Sequence, residues 1–264
     1  MHIPKFPHDA RGIVTKLLLS FLSRSRLRPQ RLYIPALRQE ICDPREVSST
    51  FNEIFVEEIY CPIKPLPVNC RIVDVGAHYG LFAIYAMLKL PASEILCVEP
   101  NPYSFEILSS NIAAAKKHGV RISLIPSAIA VEKGPVQMYL PEKCKTSIGS
   151  SILEPPGEPY RTVNVSAITI TEAIQDGCDF LKLDAEGIEY DVLQNAIIVP
   201  SKVREIAVEI HEIGRQPDRF YALVNTLFQR GYFAYTTDGT AFTIKDAYEV
   251  TADPKRTTMV LHFV

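Results

Sequence analysis

The residues best suited to chemistry fall in two places. The first is Asp74-Val-Gly-Ala-His-Tyr-Gly80, which follows the apolar run Arg71–Val75 and precedes the apolar run Leu81–Lys89. Gly76 allows a tight turn and lets a ligand approach the backbone. Gly80 permits close packing at a helix start, whose free N–H groups favour an anionic or carboxylate group. The glycines are four apart, and an acid stands where the first glycine of a dinucleotide-binding G-x-G-x-x-G turn would lie. Asp74 there would repel a pyrophosphate and attract the ammonium of a methionine moiety. Glu99 ends a second apolar run, where a carboxylate can accept two hydrogen bonds from a ribose diol. His78 and Tyr79 lie inside the glycine loop and could cover the methionine moiety, and Ser127 could reach an adenine edge.

The second place is Lys182-Leu-Asp184-Ala-Glu186, together with Glu209 and His211. Side chains alternate along a strand, so Lys182 shares a face with Asp184, and Glu209 with His211. If the two strands are neighbours, the four meet near one sheet edge. Asp184 and His211 then stand at the rim, with Lys182 and Glu209 a step deeper as an ion pair, since a lone buried lysine is costly. A histidine oriented by Asp184 suits proton removal from a hydroxyl near neutral pH. Asp184, Glu186, Glu209 and His211 could instead form an oxygen/nitrogen site for a divalent cation, the less favoured alternative.

These residues need a frame that brings strand ends together. From Arg71 onward, strand-like runs (Arg71–Val75, Glu94–Glu99, Val120–Ile125, Phe180–Asp184, Arg204–His211) alternate with helical ones (Leu81–Lys89, Tyr103–His118, Ile188–Ala196, Phe220–Gln229). Repeated βαβ units imply an α/β fold with a doubly wound, mostly parallel sheet, here of seven strands. Its last strand, Thr258–Val264, should pair antiparallel with Phe233–Thr237, there being no helix-length connection between them. An insertion occupies about 131–170. Residues 1–50 form a basic helical extension, and 51–264 the main domain.

With these residues in view, the chain resembles the FkbM family of methyltransferases. Asp74–Gly80, Val98-Glu-Pro-Asn-Pro102, Leu181-Lys-Leu-Asp-Ala-Glu-Gly-Ile-Glu189 and Val208-Glu-Ile-His211 carry the likeness. The resemblance implies a Rossmann-like class I fold that uses S-adenosyl-L-methionine (SAM) and usually methylates a hydroxyl on a sugar, polyketide or similar acceptor. It also implies that Asp74, Gly76, Gly80 and Glu99 contact the cofactor. His78, Asn101 and Ser127 join that set as candidates, and Asp184, Glu186 and His211 form the candidate catalytic group. An amide or amine nitrogen as acceptor, or a SAM-binding protein without catalysis, stays open. A NAD-type oxidoreductase is disfavoured by Asp74 and the missing first glycine.

Charge is unevenly spread. Of 28 Lys/Arg and 30 Asp/Glu, residues 1–38 hold eight basic residues and only Asp9 as an acid, which leaves 20 basic and 29 acidic residues beyond. An acidic body argues against nucleic acid as a partner. Small-molecule or glycan acceptors remain, with a second copy of the chain as a further partner class. Ile13, Val14, Leu17, Leu18, Phe21 and Leu22 recur on one helical face ahead of Arg24, Arg26, Arg28 and Arg31, so the arm could touch a membrane or pack on protein. None of the six cysteines has a metal-type spacing, which fits a cytoplasmic location.

Overall fold

The computed structural model describes residues 14–15, 17–18, 21, 31–34, 39–42, 48–115, 119–142, 150–154 and 159–264. Most of the basic arm and the loop 143–149, which holds Cys144, lie outside these. Strands β1 (Arg31–Ile34) and β2 (Gln39–Cys42) pair as an antiparallel hairpin. The extension is therefore not helical throughout. The hairpin is seated on the domain through buried Ile34 and Ile41 and through the Cys42 N–H, which donates to Asn111 at 2.9 Å. A short helix, α1 (Ser48–Phe51), runs into a wider π-type turn over Asn52–Glu57.

The body then alternates as its hydrophobic runs require. It proceeds through β3 (Cys70–Val75), α2 (Leu81–Lys89), β4 (Ala92–Val98), α3 (Pro102–Ala115), β5 (Arg121–Ile125), β6 (Ser127–Ala130), β7 (Gly134–Pro141) and β8 (Tyr160–Thr169). After α4 (Ile170–Ile174) come β9 (Cys178–Leu183), α5 (Glu189–Asn195), β10 (Val203–His211), α6 (Pro217–Gln229), β11 (Ala234–Tyr235), β12 (Ala241–Phe242), α7 (Ile244–Thr251) and β13 (Thr258–Phe263). The main sheet has the order β12-β11-β13-β10-β9-β3-β4-β5. It is parallel from β10 through β5 and antiparallel at β13. It thus has eight strands rather than seven. The additional one is the two-residue β12, too short to leave a hydrophobic period. A second correction concerns the connection between β11 and β13, which contains α7, started by a Thr243/Asp246 capping box. The two strands are antiparallel all the same.

Apolar packing covers both faces of the sheet, as buried parallel strands demand. One face carries the β1–β2 hairpin, α2 and α3, and the other α4, α5 and α6. Leu81–Met87 is buried on every side, which explains why that run shows no polar stripe. The insertion forms a separate three-stranded sheet of order β6-β8-β7. It starts at Ser127, earlier than the segment read as inserted. None of the five described cysteines forms a disulfide.

Two ties hold neighbouring segments to interior strands of the sheet. Arg71 donates to the carbonyls of Ala173, Ile174 and Gly177 at 2.8–3.0 Å, so α4 and the entry to β9 are held to β3. On β13, buried His262 meets Glu205 of β10 at 2.9 Å and the carbonyl of Ile59, also at 2.9 Å. Glu205 in turn accepts from the Ile63 N–H at 2.8 Å. The segment 59–64, which has no regular structure of its own, is clasped to the sheet through these two residues.

Candidate active site

Strand order reverses between β3 and β9, which lead to opposite halves of the sheet; their C-terminal ends open a crevice where doubly wound folds bind ligands. A single cleft occupies this place. Its lining includes Gly76–Tyr79, Glu99–Asn101, Ser104 and Ser127 on one side, and Glu53, Tyr60, Lys182, Asp184, Glu186, Glu209 and His211 on the other.

On the first side the glycine turn is obligatory for a reason other than ligand approach. Gly76 has φ +70°, and a Cβ there would lie 1.7 Å from the Asp184 carbonyl oxygen, so its missing side chain makes room for the end of β9. Gly80, at φ +82°, would place a Cβ 2.7 Å from Leu108, consistent with close packing of α2 on α3. Glu99 is almost fully buried, and its two oxygens accept from the His78 and Asn101 N–H groups, each at 2.8 Å. Burial pushes its carboxyl up to about 7, although both N–H bonds pull the other way. Asn101 also caps α3 by accepting from the Tyr103 N–H at 3.0 Å, and it reaches Ser150 of the insertion at 3.2 Å. His78 adopts a left-handed φ of 47° and stacks on Tyr79 at 3.8 Å. Ser127 lines the cleft at the start of β6. Ser104, in the first turn of α3, lines it too; its hydroxyl is buried and meets no hydrogen-bond partner among the described residues.

Asp74 is the exception in this group. Its side chain is fully buried beneath the cleft and faces Lys182, 3.5 Å away. Strand register explains this: Asp74 stands opposite Lys182, with Val75 and Gly76 still between it and the rim. Its reading as a direct contact for an ammonium gives way to a role under the floor.

The pairing of Lys182 with Glu209 is likewise corrected, and strand register gives the reason. Lys182 stands opposite Asp74 on β3 and Ala207 on β10. Glu209 is therefore one inward-facing step nearer the rim, level with Asp184. Lys182 bonds the carbonyls of Val75 and Gly76 at 3.3 and 3.1 Å and meets Asp184 at 3.4 Å. Burial opposes its charge, but Asp184, Asp74 and Glu209 outweigh this and raise its pKa, so it remains an ammonium. It pins the glycine turn to β9.

At the rim, His211 is oriented by Glu189 rather than Asp184. Nδ1 lies 3.0 Å from a Glu189 oxygen, and Glu189 is fully buried and held by the Ala185 and Gly187 N–H groups, each at 2.9 Å. Nε2 faces the cleft, 3.5 Å from Glu186 and 3.9 Å from Glu209. Burial disfavours the imidazolium, but the Glu189 bond and the charges of Glu189, Glu186 and Asp184 win and raise His211 to about 10. Burial also raises Glu186 to about 7; His211 lowers it, and Asp184, Glu189 and Glu209 push it further up. Donor atoms of Asp184, Glu186 and His211 all lie within 4.8 Å of one another.

Tyr60 had no signal in residue spacing. Its hydroxyl donates to Glu209 at 2.6 Å and lies 3.5 Å from Asp184, while its ring sits 5.0 Å from the Lys182 ammonium. It arrives through the segment clasped by His262, so only tertiary structure reveals it. Glu53 of the π-type turn joins the same wall. Burial and the charges of Glu209 and Asp184 raise its pKa.

The doubly wound sheet, the glycine turn and the strand-tip carboxylate define the class I methyltransferase fold. The chain belongs to the FkbM methyltransferase domain family, whose model matches residues 74–234. It is similar to a methyltransferase of Sordaria araneosa, with 43% identity over 68 residues, or 26% of each chain. It is also similar to Methyltransferase 1 of Beauveria bassiana, with 36% identity over 76 residues, 29% of this chain and 30% of that one. The matched stretches therefore span under a third of these relatives' lengths. A crystal structure of an FkbM methyltransferase from Methylobacillus flagellatus superposes with a TM-score of 0.47 and 16% identity, covering 98% of this chain and 63% of that one.

Proposed function

We propose that the protein moves a methyl group from SAM to a hydroxyl oxygen of a sugar or other small or glycosidic acceptor. The carrying observation is that one cleft at the strand switch point joins a pre-oriented Glu99 to the Glu186–His211 pair. The cofactor side fits a nucleoside. Glu99 is held by two N–H groups yet keeps further lone pairs for a diol, and the orphaned Ser104 hydroxyl calls for a partner. When bound, SAM supplies an electrophilic methyl group. Glu99, Asn101, Ser104, Ser127 and the His78 loop would hold it, and Lys182, bonded to the Val75 and Gly76 carbonyls, would keep that loop in place.

The acceptor side must remove one proton and exclude misaligned water. At neutral pH His211 enters as an imidazolium, so it is not the free base. Glu186, beside it and poised near neutrality, takes the hydroxyl proton, and the imidazolium offsets the charge that develops on the oxygen. Glu189 positions the ring. A second reading rests on the donor spacing of Asp184, Glu186 and His211, which suits a divalent cation. Loss of activity in a chelator, restored by magnesium or manganese, would select it. Mass spectrometry that localises the transferred methyl on oxygen or nitrogen tests the acceptor class. A cytoplasmic location is supported by the five described cysteines, none of which is in a disulfide.

The cofactor assignment carries a pH test. Below about 7 Glu99 gains a proton and loses an acceptor for the diol, so the affinity for S-adenosylhomocysteine (SAH) should fall as pH drops through that value. Glu99→Gln should bind less tightly and flatten this dependence. The loss of a charge-assisted bond costs about 1.5–3 kcal/mol, or roughly 10–150-fold in Kd. Calorimetry showing NADH bound in place of SAH would overturn the assignment.

A further inference from the structure

Two consecutive serines of the insertion touch opposite halves of the cleft. Ser150 Oγ accepts from the Asn101 side-chain amide at 3.2 Å, and Asn101 is the residue whose backbone N–H holds Glu99. Ser151 Oγ donates to the Glu186 carbonyl at 2.7 Å and accepts from the Leu153 N–H at 3.0 Å. Ser151 is buried, and its own N–H and carbonyl pair with Tyr139 of β7 at 3.2 and 2.8 Å. The insertion sheet therefore fixes the hydroxyl that meets Glu186. Glu186 needs such a hold. It adopts a left-handed φ of 54° and is followed by Gly187 at φ 104°. A residue with a side chain keeps that conformation only where its surroundings over-determine it. From this turn the Glu186 carboxylate reaches His211 Nε2, 3.5 Å away. A change in the turn would swing the carboxylate, whereas the ring is held separately by Glu189.

We infer that Ser151 is a positioning residue for methyl transfer, locking the Glu186 turn so that the carboxylate meets the acceptor hydroxyl in line with the donor. The inference rests on the reading of Glu186 as the base. Because Ser150 grips Asn101 and Ser151 grips Glu186, neighbouring residues of one segment set the spacing between cofactor and base. Rate falls steeply with such spacing, since a displacement of about 1 Å costs on the order of a hundredfold.

The test compares Ser151→Ala with Ser151→Thr, which keeps the hydroxyl at a strand-paired position suited to a β-branched residue. In crystals of Ser151→Ala, Glu186 should leave the left-handed region and its carboxylate should move away from His211 Nε2. Ser151→Thr should preserve both. SAH affinity by calorimetry should stay within about twofold of the parent in each, because Ser150 and not Ser151 meets the donor side. With methyl-labelled SAM and simple glycosides as acceptors, Ser151→Ala should lower kcat about ten- to a hundredfold with little change in KM. Ser151→Thr should recover most of that loss. In a Glu186→Gln background the Ser151→Ala loss should vanish, since the hydroxyl acts through that carboxylate. A Ser151→Ala crystal with Glu186 unmoved would overturn the inference. So would a Ser151→Ala loss that persists in full beside Glu186→Gln, or an SAH affinity that falls in step with kcat. A Glu186→Gln enzyme as fast as the parent would instead remove Glu186 as the base, and the crystals would still decide whether Ser151 holds its turn.

Discussion

Replacing Glu186 by glutamine should lower the methylation rate by roughly 10²–10⁴-fold while leaving SAH affinity nearly unchanged. Glu186 is the rim carboxylate whose burial and acidic neighbours lift it to about 7, so it is largely ionised just above neutrality and able to take a proton. The parent rate should rise as pH increases through about 7, and Glu186→Gln should abolish that rise. His211→Ala adds a second readout. His211 is the group that lowers the Glu186 pKa, so its removal should push Glu186 upward and move the rising limb to more alkaline pH. Glu189→Gln should act in the same direction more weakly, because it loosens the ring without removing it. Unaltered rates in both Glu186→Gln and His211→Ala would remove the rim from the mechanism.

The second large effect is structural. Gly76→Ala should destabilise the fold by about 3 kcal/mol or more and abolish SAH binding, measured by thermal unfolding and calorimetry. Two costs add. The left-handed φ of +70° costs an alanine about 1–2 kcal/mol. The overlap of its Cβ with the Asp184 carbonyl at 1.7 Å forces the glycine turn away from the end of β9, and overpacking of this kind costs about 1–3 kcal/mol. That displacement also breaks the Lys182 bonds to Val75 and Gly76, on which the turn's position depends. Gly119→Ala is the matched control. Its φ of +74° is as strained, but a Cβ there meets nothing within 4 Å, so only the backbone cost should appear. Equal losses in the two variants would show that contact with β9 does not matter.

Much of this frame was legible because parallel strands buried on both faces leave uninterrupted apolar runs. Arg71–Val75 and Leu81–Lys89 lie within a residue of β3 and α2. Parity correctly grouped Lys182 with Asp184, and Glu209 with His211, at one sheet edge. Parity assigns a face and says nothing of depth. Depth follows from register, which set Lys182 opposite Asp74 and Ala207 and so sent Glu209 to Tyr60 instead. Glu189 was hidden differently: a carboxylate in the first turn of a helix has an ordinary electrostatic explanation, and its burial beneath His211 depends on the crossing of α5 over β10. Tyr60 and Glu53 precede β3, on segments whose places depend on residues far along the chain. The hydrogen bond from His262 to Ile59 links positions 203 apart.

That long link also orders events in time. A chain emerging from the ribosome presents residues 59–64 early, then the glycine turn, Glu99 and the rim as far as His211, while His262 is still unmade. The glycine turn, Glu99 and Ser127 are thus all in the polypeptide before the clasp that fastens Tyr60. A chain halted short of His262 would carry the residues of the glycine turn, Glu99 and the rim without the clasp that holds the 59–64 segment.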